Sequence, residues 1–179
     1  MEPDEQEESF GNQAIHFVRT ATIANMTLSQ MADSKASMLM GAIFVAFTIS
    51  LGQAGDGVPP LPLLVLAISS SVAAVFAVMV VAPTFRPPRV PPGKENLLFF
   101  GVFAELDEQE WADQVIARLR TDETMFRTML RDVWQNGRVL QRKKYRYLAL
   151  AYWTFLGGFL IALTVFLIEV ARGTLGLSV

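Results

Sequence analysis

Residues 29–47 read SQMADSKASMLMGAIFVAF: an acid and a base, Asp33 and Lys35, stand two positions apart, and a run of apolar side chains follows. A soluble amphipathic helix spreads its charges over one outer face along its whole length. Here they stop at Lys35, and none returns before Asp56. The stretch therefore reads as the mouth of a membrane segment. Two further runs carry no charge, LPLLVLAISSSVAAVFAVMVV at 61–81 and LALAYWTFLGGFLIALTVFLI at 148–168. Like 36–55, each is near the ~20 residues a helix needs to cross the ~30 Å hydrocarbon core. The first run is the weakest of the three, since its strongly apolar part is 38–51 and it holds Thr48 and Ser50. A buried hairpin in a soluble protein is the competing reading. A signal peptide is not, because the run starts far from Met1 and follows an acidic stretch with Glu2, Asp4, Glu5, Glu7 and Glu8.

Composition narrows the chemistry. Apolar residues make up 52% of the 179, and there is no cysteine, so disulfide scaffolds, thiolate metal sites and cysteine nucleophiles are excluded. His16 is the only histidine and lies in a helical stripe, which suits a surface or interface better than catalysis. With no histidine pair and no carboxylate pair at ligand spacing, no metal site, cofactor or catalytic residue is expected. The three runs hold no ionisable residue, which argues against transport, since ion and proton pathways usually require one. The protein is not expected to be an enzyme.

Orientation follows from lysine and arginine. Most of the 15 basic residues lie in 84–147, whereas the connection QAGDGVPP between the first two runs has none and reads as a tight turn. The segment 84–147 and the N-terminus are then cytoplasmic, and the C-terminus external. The expected fold is an all-α membrane protein with three transmembrane helices, long helical cytoplasmic extensions and a small cytoplasmic helical domain. It divides into an acidic disordered tail (1–12), a stalk helix running into the first transmembrane helix (13–55), a second transmembrane helix (61–82), a Pro-rich connector with the cytoplasmic helical domain (83–147), a third transmembrane helix (148–169) and an external tail (170–179).

Within the cytoplasmic parts, Ser9 or Asn12 can cap the stalk, whose apolar positions Phe17, Val18, Ala21, Leu28, Met31 and Ala32 recur at three- and four-residue spacing. PTFRPPRVPPG reads as a stiff, extended connector. Asp107 and Glu110 form a capping box for a helix to about Leu119. A second helix opens near Thr121 or Asp122, with a heptad-like stripe of Phe126, Leu130, Val133, Gly137, Leu140, Lys144 and Tyr147 and one soft break at Asn136-Gly137. Lys35 can snorkel to the headgroups. For Asp33 there are two readings, a local helix-end contact or a cation among Arg138, Arg142 and Lys144 on the second stalk.

Three motifs carry a resemblance. ADSKAS at 32–37 precedes a membrane run, ENLLFFGVFAEL follows the second, and basic RKKYRYLALAYW enters the third. Together they resemble the transmembrane effectors of Pycsar, the pyrimidine cyclase antiphage system, from about Ile15 to Ile168. The matching positions are Asp33, Lys35 and Ala36, then Asn96, Leu97, Phe99, Phe100 and Gly101. The resemblance implies a partner pyrimidine nucleotide cyclase that makes cyclic UMP or cyclic CMP on infection, and an effector that then damages the inner membrane in abortive infection.

A cyclic mononucleotide needs a cation or backbone donors for its phosphate and an aromatic or apolar surface for its base. Arg118, Arg120, Arg127 and Arg131, with Phe99, Phe100, Phe103, Trp111 and Trp134 nearby in sequence, offer both, although a solvated arginine face over a small aromatic core accounts for the same residues. Small residues recur at four-residue spacing at Ala42 and Ala46, Ser70 and Ala74, and Gly158 and Ala162. Such faces let membrane helices approach closely, and three helices alone enclose no pore, so self-association into a homo-oligomer is expected. The lipid bilayer is the other partner, and no nucleic acid polymer is expected. The reading from a different class is a non-lytic membrane adaptor that recruits a soluble enzyme through its stalks.

Overall fold

A computed structural model describes residues 10–11, 13–53, 59–83 and 95–174. The acidic tail, both proposed stalk caps, most of the first turn, nearly all of the proline-rich connector and the last five residues lie outside them. Among the described residues the chain is helical and holds no strand. The helices are α1 (Gln13–Gly52), α2 (Leu61–Val81), α3 (Phe100–Phe103), α4 (Glu108–Arg118), α5 (Asp122–Val139) and α6 (Arg146–Thr174), with a π-helical segment, Leu140–Tyr145, joining the last two. Three stretches are long and apolar enough to cross a membrane: α1, α2 and Asp122–Gly173. At 40 residues, α1 is about twice the length a span requires.

The chain forms two compact units, Met1–Leu28 with Pro83–Leu140, and Ser29–Ala82 with Gln141–Val179. In the first, α4 starts on Asp107, whose carboxylate accepts from the backbone N–H of Gln109 (2.9 Å) and Glu110 (3.4 Å). Only this half of the expected capping box forms, because Glu110 instead accepts from Gln114 one turn on. Thr121 caps α5 by accepting from Thr124 N–H, and Thr124 in turn donates to the Arg118 carbonyl at 2.6 Å, tying the end of α4 to the start of α5. The helix passes through Asn136-Gly137 without breaking. Asn25 of α1 lies beside Gly137 and donates to the Val133 carbonyl at 2.9 Å, which ties α1 to α5.

In the second unit α2 packs extensively on α6. Leu39, Ile43, Ala73, Ala77 and Ala151 form one buried cluster, and Ala32, Ala36, Val80 and Leu148 another. A Cβ on Gly158 of α6 would fall onto the side chain of Ser69 of α2, whereas Gly157 beside it has open space. The outward residues are large and apolar, with Phe44 70% and Trp153 71% exposed, as lipid-facing positions of a span require.

Two expectations are corrected here. Of the apolar stripe expected along α1, Val18 and Ala32 are buried and Ala21 is half-buried, but Phe17, Leu28 and Met31 are exposed. The face turned away from solvent runs through Val18, Thr22, Asn25, Ser29, Ala32, Ala36, Leu39, Ile43, Ala46 and Ser50 at alternating four- and three-residue steps. That is a seam with a 3.5-residue period built largely from small and polar side chains, which a search for large hydrophobes overlooks. Secondly, two of the small-residue faces expected to serve self-association are used inside the chain. Ser70 is buried, Ala162 is nearly so and Gly158 abuts Ser69, because only small residues allow α2 and α6 to come this close. Ala42, by contrast, is exposed.

Candidate functional site

Asn96 explains the ENLLFFG motif. It is 2% exposed, and its side-chain oxygen accepts from Leu98 N–H at 3.0 Å, an Asx turn that bends the chain into α3. Its amide nitrogen donates to the Asp132 carboxylate on α5 at 2.8 Å. Next to it, Leu97 is buried, and its carbonyl accepts from the Trp111 indole at 2.9 Å. Trp111 also packs on Phe103, and Phe99 on Phe100, with ring centroids 5.6 and 4.9 Å apart. Gly101 is buried within α3, and Phe100 stays half exposed. The motif is thus a clasp that holds its segment to α4 and α5. Asp132 had no signal in the sequence, being one acid among several charges on an amphipathic helix and 36 residues from its partner.

The arginines proposed for a phosphate occupy separate places. Arg118 ends α4, Arg120 lies exposed in the turn that follows, and Arg127 pairs with Glu123 one turn earlier on the solvated face of α5. Arg131 points toward the Glu95 carbonyl at 3.5 Å. Trp111 and Phe99 are engaged in the clasp. Among the described residues no group of His, Cys, Asp or Glu could hold a metal ion.

In the second unit both oxygens of Asp33 receive the Lys144 ammonium, at 2.6 and 2.7 Å. Of the three cations the sequence offered, the structure selects Lys144. The side chains are 20% (Lys144) and 37% (Asp33) exposed, so the pair is partly shielded from water. One residue earlier, Lys143 donates to the Ala82 carbonyl just past the end of α2, at 2.8 Å. Consecutive residues on an α-helix point ~100° apart, and the π-helical segment is where this pair of lysines reaches two different helices at once. Ala36, three residues past Asp33, is fully buried in a cluster with Val80 and Leu148. Lys35 is exposed. Asp33 and Lys144 thus join α1 to the segment that enters α6, with Lys143 adding α2.

No curated protein and no solved structure matches the chain. The family model described as a Pycsar effector protein domain matches residues 16–170, which include the Asp33 motif, the Asn96 clasp and the three charge-free runs. With a match over most of its length, the chain belongs to the Pycsar effector protein family.

Proposed function

We propose that this protein is an antiphage defence effector, embedded in the inner membrane, that impairs membrane integrity when a partner cyclase makes cyclic UMP or cyclic CMP. The observation that carries the reading is the family match across 16–170, which takes in all three charge-free apolar runs. The lysine and arginine asymmetry puts 84–147 and the start of α1 on the cytoplasmic side, where such a signal arises. Arg118, Arg120 and Arg127 are the candidate phosphate contacts. The Arg127–Glu123 pair is an exposed one that a phosphate can displace at little cost.

Asp33 and Lys144 form the proposed coupling point, because they join the first span to the segment that leads from α5 into the third. Permeabilisation requires several copies. With Gly158 and Ser70 occupied inside the chain, the exposed apolar positions of α1, Phe17 with Leu28 on one side and Ile23 with Met26 on the other, are the proposed self-association surfaces.

The test is co-expression with a candidate cyclase while membrane potential is followed with a voltage-sensitive dye. Depolarisation is expected only with the active cyclase. Cells that keep their potential while the cyclic nucleotide demonstrably accumulates would overturn the reading in favour of a non-lytic adaptor.

A further inference from the structure

The middle of α2 carries three consecutive serines, Ser69, Ser70 and Ser71, and they do not fare alike. A serine in a membrane helix ordinarily satisfies its hydroxyl by donating to the carbonyl three or four residues earlier. Ser69 donates to Leu66 O at 3.1 Å and Ser71 to Ala67 O at 2.9 Å. Those are the two carbonyls that Ser70 itself can reach, at four and three residues back, and each also serves a backbone N–H of the helix. Ser70 is fully buried, and its hydroxyl has no partner. It lies on the inner face of α2 with Ala73, Ala77 and Val80, at three- and four-residue steps.

A buried hydroxyl without a partner carries its full desolvation penalty, and the closed packing of the second unit therefore holds a cost that contact with water would remove. Around it the same face of α2 offers small side chains, which obstruct little if the helices part. We infer that Ser70 lines the aqueous path through which the membrane is breached, with Ala73 and Ala77 on the same wall, and that its hydration favours the permeable state over the closed one. The inference rests on the function proposed above and specifies the path, water and small ions being the species that enter it.

The chain lacks cysteine, so Ser70→Cys places the only thiol in the protein at this point. Cells carrying S70C and the cyclase are treated with a cationic, membrane-impermeant thiosulfonate. Labelling is expected to rise about tenfold when the cyclase is active, and the bound adduct to slow depolarisation. Val75→Cys, on the exposed face of α2, is expected to stay unlabelled because a charged reagent does not enter lipid. Cells with S70C that depolarise on signal while the thiol stays as unreactive as before overturn the inference but leave the proposed function standing. A parent chain that never depolarises overturns both. Ser70→Ala gives a second test that needs no labelling. It is expected to raise the melting temperature of the purified protein and to require about tenfold more signal for the same depolarisation. A raised melting temperature with unchanged depolarisation overturns the inference as well.

Discussion

In the unit formed by Met1–Leu28 and Pro83–Leu140, side-chain polar groups hold distant segments together: Asn25 to Val133, Asn96 to Asp132, Trp111 to Leu97. In the unit formed by Ser29–Ala82 and Gln141–Val179, the inner faces are rich in alanine, with Ser70 and Gly158, among a few larger residues such as Leu39, Ile43, Val80 and Leu148, and the polar contact between helices is gathered at Asp33, Lys144, Lys143 and Ala82. The second unit holds the charge-free apolar runs, and the contrast is the one expected between helices packing in water and helices packing in lipid. Against water, burying leucine and phenylalanine is itself a driving force, and a polar clasp adds direction. Against lipid tails no such force operates between helices, so close approach of backbones has to do the work, and small residues permit it.

The largest effect is expected where that closeness is greatest. Gly158→Ala should destabilise the protein by about 3 kcal/mol, because the added methyl meets Ser69 and its backbone cannot easily retreat. Gly157→Ala, with open space around it, should be neutral or stabilising by up to ~1 kcal/mol through helix propensity. Thermal unfolding in detergent distinguishes the two, and equal melting temperatures would break the comparison at its strongest point.

Asn96→Ala comes next. It removes both bonds of a residue that is 2% exposed and leaves Asp132 without its amide, at a cost of about 2 kcal/mol. Hydrogen exchange should then rise over 96–103 while α2 and α6 keep their protection. Loss of protection in all of these at once would mean that the units do not hold themselves separately.

Asp33→Asn should cost about 1 kcal/mol or slightly more, since the pair is partly shielded yet Asp33 is more than a third exposed. Its functional effect should exceed its effect on stability. Signal-dependent depolarisation is expected to disappear at normal expression, and Asp33→Lys with Lys144→Asp to restore part of it. Cells with Asp33→Asn that depolarise as the parent does would make the pair a helix-end detail. The smallest effect belongs to Arg127→Ala, whose exposed pair with Glu123 leaves stability within ~0.5 kcal/mol. If Arg127 contacts a nucleotide phosphate, this variant nonetheless needs more signal, a shift readable in the same depolarisation assay.

That the chain holds three helices long and apolar enough to cross a membrane was legible in the sequence, because a charge-free run of about 20 residues has few other uses. So were the starts of α4 and α5, where Asp107 and Thr121 satisfy backbone donors only two or three residues away. Local chemistry of this kind leaves a local signature. The face that α1 turns inward did not, since Thr22, Asn25 and Ser29 gain their place from what lies opposite and not from their own hydrophobicity. Nor did the partner of Asn96, the choice of Lys144 over Arg138 and Arg142 for Asp33, or the orphaned hydroxyl of Ser70. Each depends on which atoms meet across 36 or more residues of chain, or on which neighbour has already taken an acceptor. Only the folded arrangement of the helices decides that.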